Sequence, residues 1–203
     1  MSCIDKQDLD RIKDVYDQEG VVCVKNILPS RKAQQLENSA RRLPLSDDAR
    51  MPHRRTACLP EDHELSTVLY DSPDVQKVFR HLHGYEIKPS EFPTEYREYG
   101  AHSKGMGWHK DLQMWDKPQV EMVYTVFNED DRTRFQWQSP DKKIRSISPR
   151  QNDMTFVSVE QETLHRVTPL GLGSRGIIKM VGVRPGSVPM ESMHVEKRNC
   201  PMV

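Results

Sequence analysis

The chain has 203 residues, and its 30 lysines and arginines balance its 30 aspartates and glutamates, so the formal net charge is zero. This length fits one domain with a sizeable core, and the balanced charge gives no bulk attraction to nucleic acid or to an anionic membrane. Because the sequence contains no long apolar run and starts with a charged segment, we predict a soluble, cytoplasmic protein without a membrane anchor.

Four cysteines stand far apart in the sequence and form no C-x-x-C pair. That spacing argues against a zinc site and against a disulfide scaffold. We therefore predict that the cysteines are reduced and structural.

Helical and extended patterns alternate in the first half of the chain. Residues 5–19 carry apolar side chains at helical spacing and precede Gly20, a residue typical of a helix C-cap. The β-branched residues 21–24 predict a strand, and a second helix is predicted from Pro29 onward. A third short helix is predicted over residues 73–83.

Between the second and third helices, residues 45–66 are polar and include two prolines. This composition predicts a long irregular loop, and loops of that length are often lids or binding segments. A solvated surface loop without a function is an equally good interpretation of the same pattern.

The second half is rich in β-branched and aromatic residues that are separated by turn sequences, which predicts a run of strands. The predicted strands cover residues 92–99, 120–127, 154–159 and 177–183. Helices followed by strands indicate an α+β domain, with a sandwich or barrel packed on the early helices. We predict one domain over residues 1–203, with helical support and a lid in 1–90, a β core in 91–184 and an extended or mobile tail in 185–203.

A G-x-G-x-x-G pattern occupies residues 171–176. A dinucleotide-binding loop of this type must open a helix, because the helix N-terminus holds the pyrophosphate. Here the pattern is followed by IIKMVGV, which predicts a strand. We interpret the glycines as a turn between two strands.

A different constellation in the same region carries metal chemistry. His109 and Asp111 are one residue apart, so on an extended segment both side chains point to the same side. His165 would complete a set of two histidines and one carboxylate, which leaves three positions open on ferrous iron. Arg175, ten residues further on, is placed to hold a carboxylate through two parallel hydrogen bonds. A single H-x-D pattern means little alone, and the ordered combination carries the prediction.

These residues resemble the iron(II)- and 2-oxoglutarate-dependent dioxygenases. That family has H-x-D, a distant histidine, and an arginine or lysine about ten residues later. The stretch "HRVTPLGLGSR" is similar to the H-x-V-x-P-(x)-G-x-R segment of the prolyl-hydroxylase-like branch, and "YREYGAHSKGMGWHKD" resembles the strand that leads to the metal in that branch.

The resemblance implies a double-stranded β-helix (a jelly-roll, cupin-like core) in which His109, Asp111 and His165 bind Fe(II). It also implies that 2-oxoglutarate and O2 fill the open positions, with Arg175 holding the far carboxylate of 2-oxoglutarate. The implied reaction hydroxylates a C–H bond of a small polar molecule or a peptidyl residue and releases succinate and CO2. Halogenases of the family lack the metal carboxylate, so the presence of Asp111 favours hydroxylation.

One position departs from the pattern. Many relatives carry a serine or threonine two residues after the arginine, where it binds the same carboxylate, but this chain has Ile177. Tyr99 and Tyr124 are the candidates that we consider for the missing donor, with a core or rim role as the alternative for each.

The sequence says less about the substrate. Trp108, Trp115 and Arg134 are candidate substrate contacts, although packing is the commoner role of a tryptophan in a sheet and solvated surface charge is the commoner role of such an arginine. We predict a small-molecule or peptide substrate and neither nucleic acid nor a membrane as partner. The alternative function is an inactive β-barrel binding module that retains the same fold.

Overall fold

The computed structural model describes residues 4–48 and 51–198. The helices within these ranges are α1 (Lys6–Glu19), α2 (Ser30–Ala40), α3 (Glu64–Tyr70), α4 (Pro73–His83) and α5 (Glu191–Arg198). The strands are β1 (Val21–Val24), β2 (Ser46–Asp47), β3 (Arg54–Leu59), β4 (Thr94–Tyr99), β5 (Met106–His109), β6 (Val120–Asn128), β7 (Phe135–Gln138), β8 (Ile144–Ile147), β9 (Met154–Ser158), β10 (His165–Val167) and β11 (Arg175–Gly182).

The strands form two antiparallel sheets. The larger sheet has the order β1-β9-β6-β11-β4-β3-β2, and the smaller one has the order β5-β10-β7-β8. The predicted α+β class is confirmed. The chain leaves the larger sheet at β4 and returns to it at β6, β9 and β11, so both sheets draw on the same stretch of sequence.

Helix ends follow local capping rules. Asp5 accepts a hydrogen bond from the backbone N–H of Asp8 at the start of α1, and Gly20 ends that helix with φ of 70° in the left-handed region, as its position predicts. Ser72 caps α4 in the same way as Asp5 caps α1. Within the described residues, no helix has both the length and the apolar character needed to cross a membrane.

The two faces of the larger sheet have opposite character because successive side chains of a strand alternate between them. One face packs against the helices in the main hydrophobic core. Its sheet residues include Val22, Val24, Ala57, Leu59, Tyr96, Met122, Tyr124, Met154, Phe156, Ile178 and Met180. Burial of this face anchors the sheet on α1 to α4.

The other face, which we call the inner face, is turned toward the smaller sheet. Its buried polar and charged side chains are Arg54, Thr56, Glu95, Tyr99, Glu121, Thr125, Thr155 and Arg175, and it also carries the partly buried Arg97 and Lys179. At one end the two sheets pack directly through Val21 and Val157 on the larger sheet and Phe135 and Trp137 on the smaller one. The remainder of the inner face forms one wall of the site described below.

The segment predicted as a loop, residues 45–66, contains β2, β3 and the start of α3. The loop prediction is therefore wrong there, and β1 to β3 extend the sheet into the first 90 residues. The basic residues at the start of β3 obscured its pattern, because Arg54 is buried yet paired with Asp48. In a sequence, the charged residues of a buried ion pair cannot be told from charged surface residues.

The tail prediction also fails between residues 185 and 198. Val188 and Asp116 are joined by two hydrogen bonds, and α5 inserts the fully buried Met193 against Trp115. The segment is held by apolar contacts that its polar composition did not reveal. Residues 199–203 lie outside the described residues.

The cysteines give a mixed outcome. Cys23 is free, as predicted, whereas Cys58 in β3 is disulfide-bonded, so the prediction of reduced thiols is wrong for that residue. Spacing along the chain does not show which thiols meet in space.

Candidate active site

His109 and His165 stand directly opposite each other on neighbouring strands of the smaller sheet. His109 ends β5 and His165 begins β10, and their rings lie 4.3 Å apart between centroids. Gly105 allows this approach, since its φ is 66° and a side-chain carbon there would lie 2.3 Å from the carbonyl oxygen of Val167. Two histidines 56 positions apart in sequence are thus cross-strand neighbours.

Both imidazole rings are oriented by the same kind of hydrogen bond. His109 Nδ1 is 2.8 Å from the carbonyl oxygen of Gly107, and His165 Nδ1 is 2.9 Å from that of Thr163. A carbonyl oxygen only accepts, so each Nδ1 carries the hydrogen, and in the neutral form of the ring Nε2 then offers its lone pair. This is the arrangement by which proteins present histidine to a metal ion.

Asp111 completes the cluster. One ligand atom from each of His109, Asp111 and His165 lies within 4.8 Å of the others. Asp111 Oδ2 is 3.4 Å from His165 Nε2. Burial raises the pKa of Asp111, but Lys179 and the two histidines outweigh it and lower the pKa below its usual value.

Burial also lowers the pKa of His165. The two shifts favour an ionised carboxylate beside a neutral imidazole, which is the protonation state that metal ligation needs.

Three of the four cations on the inner face are paired with carboxylates. These pairs are Arg54 with Asp48, Arg97 with Glu95, and Lys179 with both Glu121 and Asp111. Arg175 is the exception, because no carboxylate of the described residues lies at ion-pair distance from it. It is 2% exposed, and its Nε has no hydrogen-bond partner. Buried charges are normally paired, so this guanidinium is set up for an anion that is not part of the described chain.

Tyr99 lies beside that guanidinium. Tyr99 in β4 and Arg175 in β11 are direct cross-strand partners, and Tyr99 is 3% exposed. Burial raises the pKa of the phenol, but the surrounding guanidinium groups of Arg97, Arg54 and Arg175 outweigh it and lower the pKa. Of the two candidate tyrosines, Tyr99 is placed beside Arg175.

Tyr124 does not reach the site. It lies on the helix-facing side of β6 in the main core, where its hydroxyl donates to Asn152 Oδ1 at 3.2 Å. The proposed contact of Tyr124 with the cosubstrate is therefore wrong, because strand alternation turns its ring away from the inner face.

The adjacent residue, Thr125, was missed. It is fully buried on the inner face directly opposite Ile177, and its hydroxyl has no hydrogen-bond partner. A correct assignment of the alternation in β6 would have found it.

Apolar side chains lie near both Arg175 and the histidines. Tyr99, Leu170 and Ile177 form a small buried cluster against which Val123 packs. Phe135 adds a ring 5.4 Å from that of His165, tilted by 30°. Apolar surfaces of this kind suit a short methylene chain.

The three candidate substrate residues are not assembled around the triad. Trp115 is 2% exposed and packs with Met193. Trp108 alternates with His109, so its ring lies on the outer side of the smaller sheet, where the Arg166 guanidinium stacks 4.7 Å from its centre. Arg134 Nη1 bonds to backbone carbonyls of its own turn. Packing and surface roles account for all three.

No protein-family model matches the sequence, and no curated protein matches it. Solved structures do match. SnoN, a non-heme α-ketoglutarate-dependent epimerase from nogalamycin biosynthesis, gives a TM-score of 0.78 at 14% identity, over 91% of this chain and 86% of its own. This chain has the fold of the iron(II) and 2-oxoglutarate oxygenases.

Two further structures with the 2-oxoglutarate oxygenase fold were solved with other molecules bound. HygX from Streptomyces hygroscopicus, with nickel, 2-oxoglutarate and hygromycin B bound, gives a TM-score of 0.72 at 10% identity, over 95% of both chains. A prolyl hydroxylase from Trichoplax adhaerens, in complex with a hypoxia inducible factor peptide, gives 0.66 at 17% identity, over 86% of this chain and 88% of its own. The likeness lies in the fold.

Proposed function

We propose that this protein is an iron(II)- and 2-oxoglutarate-dependent oxygenase that hydroxylates a C–H bond and releases succinate and CO2. In this proposal the two sheets form a double-stranded β-helix that encloses the site. His109, Asp111 and His165 hold Fe(II), and Arg175 holds the far carboxylate of 2-oxoglutarate.

The observation that carries the proposal is the buried, unpaired guanidinium of Arg175 on the same inner face that meets the triad. The charge balance supports a dianion. Burial raises the pKa of Glu121 to about 7. With Glu121 ionised, the charges of Asp111 and Arg175 cancel once the other ion pairs are counted, so a divalent metal would leave two positive charges. A dicarboxylate neutralises both.

The donor set fits the iron and its cosubstrate. Two neutral imidazoles and one carboxylate suit Fe(II) and leave three positions open. When bound, iron and 2-oxoglutarate supply the oxidising chemistry, which is a property of the cofactors. The apolar cluster around Ile177 would contact the methylene groups of the cosubstrate, and Thr125 and Tyr99 offer hydroxyls beside Arg175.

The chain's own residues bind the metal and the cosubstrate, orient them and shield them from water. Gly107 and Thr163 fix the two imidazoles through their carbonyl oxygens, and Arg175 fixes the far end of the cosubstrate. Phe135 and the Ile177 cluster keep water from the reacting centre. Such prior fixing of charged groups is the main protein contribution to catalysis in sites of this kind.

Hydroxylation of a small polar molecule or of a peptidyl residue is the substrate proposal. Halogenation in this family requires a metal site without the carboxylate. Asp111 supplies that carboxylate here, which favours hydroxylation. HygX was solved with a small molecule and the Trichoplax enzyme with a peptide, so both substrate classes are compatible with this fold.

An anaerobic titration tests the proposal. Adding 2-oxoglutarate to the protein with Fe(II) should produce a weak visible charge-transfer band, because the keto acid chelates the metal. Succinate formation should then be measured across a panel of metabolites and peptides. Absence of the band in the folded protein would contradict the proposal and favour a metal-free binding module.

A further inference from the structure

Asp111 is held in place without help from a β ladder. Strand β5 ends at His109, and Asp111 lies in the irregular segment that follows. Its side chain is nevertheless only 11% exposed. Side-chain contacts must therefore fix the carboxylate, and they do so at both oxygens. Oδ2 is turned to His165, and Oδ1 lies 3.5 Å from the ammonium of Lys179.

Lys179 is itself fixed from the other side. It lies on β11 four residues after Arg175, on the same inner face, and its Nζ is 3.0 Å from Glu121 Oε2. Glu121 is 1% exposed. Lys179 is thereby placed between the carboxylates of Asp111 and Glu121.

Gln119 fixes the backbone of the same segment. Its Nε2 donates to the carbonyl oxygen of Leu112 at 2.7 Å, and its Oε1 accepts from the N–H of Met114 at 3.1 Å. The residues after Asp111 are thereby tied to the start of β6, the strand that also carries Glu121. The chain thus orients one carboxylate through a partly buried lysine, a buried glutamate and a buried amide.

We propose that Lys179 is a positioning residue that holds Oδ1 of Asp111 and leaves Oδ2 for the metal, an inference that rests on the proposed function. Residues that orient metal ligands typically change metal affinity or activity about 10- to 100-fold when they are removed. Because Arg175 and Lys179 are on one strand, β11 fixes both the cosubstrate end and the metal end of the site.

The test uses cobalt(II), which reports ligand geometry through its visible absorption, and needs no turnover. Lys179→Met alone would leave Glu121 buried without its partner, so the main variant is K179M/E121Q, which removes both charges of the pair. We expect it to bind Co(II) about 10- to 100-fold more weakly and to show an altered visible spectrum at saturating metal. K179R should restore both toward the wild type.

Lys110→Met is the matched control. Lys110 lies next to Asp111 in the sequence but pairs with Glu162 at 2.6 Å, so its loss should leave the Co(II) spectrum unchanged. If K179M/E121Q has a lower unfolding temperature but wild-type Co(II) affinity and spectrum, the residue is only structural and the inference is overturned. Failure of K179R to restore the spectrum overturns it as well.

The wild-type protein separates this result from a failure of the proposed function. A wild-type Co(II) spectrum that does not depend on Asp111 would contradict the proposed function itself. A spectrum that depends on Asp111 but not on Lys179 would contradict only the role of Lys179.

Discussion

Ile177 on β11 and Thr125 on β6 face each other directly across the ladder, on the inner face of the larger sheet. Ile177 stands where the resemblance led us to expect a hydroxyl, and Thr125 places a buried, unpaired hydroxyl on the neighbouring strand. The register shifts between Gly176 and Ile177, and a bulge of this kind changes where side chains point. We infer that the hydroxyl that binds the cosubstrate carboxylate comes from Thr125 on β6 instead of from position 177 on β11.

Thr125→Val tests that donor. In the ligand-free protein the substitution removes a buried hydroxyl without a partner, so stability should stay the same or rise by about 1 kcal/mol. With metal and 2-oxoglutarate bound, one hydrogen bond is lost, and affinity for 2-oxoglutarate should fall about fivefold. Thermal unfolding with and without the ligands measures both effects.

Thr56→Val is the control for that variant. Thr56 lies on the same face, but its hydroxyl donates to the carbonyl oxygen of Tyr96 at 3.1 Å. Its replacement should lower stability by about 1 kcal/mol. If Thr125→Val behaves like Thr56→Val in the ligand-free protein, the hydroxyl of Thr125 is already satisfied and the inference fails.

Arg175→Met should separate cosubstrate binding from metal binding. Loss of the charge-assisted hydrogen bonds should weaken 2-oxoglutarate binding about 10- to 100-fold, while Mn(II) affinity stays near the wild-type value. Unfolding of the ligand-free variant should occur at the same or a higher temperature, because a buried unpaired cation is removed. Arg166→Met, which alters a cation on the outer side of the smaller sheet, should change neither affinity.

Asp111→Ala should abolish hydroxylation by weakening iron binding. Lys179 keeps Glu121 as its partner in this variant, so the fold should persist. Iron content, Mn(II) binding and succinate formation are the measurements. Retention of full iron content and turnover would show that Asp111 is not a ligand.

His83 should make stability depend on pH. Burial lowers its pKa to about 4, and its Nε2 is buried without a partner between Tyr16 and Phe79. In the unfolded chain, His83 takes up a proton near pH 6.5. The contribution of His83 to the free energy of unfolding is therefore fully present above that pH, and up to about 3 kcal/mol of it is lost as the pH falls toward 4.

His83→Phe should flatten that dependence. The ring fits an aromatic environment and cannot take up a proton, so the difference in unfolding free energy between pH 7 and pH 5 should shrink relative to the wild type. An unchanged pH profile would show that other groups control acid unfolding.

Much of the site was readable from the sequence because its parts obey strict rules. The H-x-D pair, the distant histidine and Arg175 keep a characteristic order, and the α4 boundaries follow from Ser72, Pro73 and Gly84. The structure brings the triad residues together and places Tyr99 opposite Arg175. Their roles as ligands stay predictions.

The features that the sequence did not reveal depend on which strands and which side chains are neighbours in the folded protein. Tyr124 and Thr125 differ by one position, and only the register of β6 against β11 decides which of them faces the site. Arg54, Glu95 and Lys179 look like surface residues until their partners are known. Arg54 and Lys179 find their partners outside their own strands, so no local pattern marks these two pairs.

The two-sided character of β11 restricts how this chain can change. A one-residue insertion or deletion within that strand would reverse the side chains on one side of the change, so that Arg175 or Lys179 would face the core beneath the helices and Ile178 or Met180 the inner face. Loops between strands carry no such restriction. Length variation in descendants of this protein should therefore accumulate between its strands, while β11 keeps its number of residues.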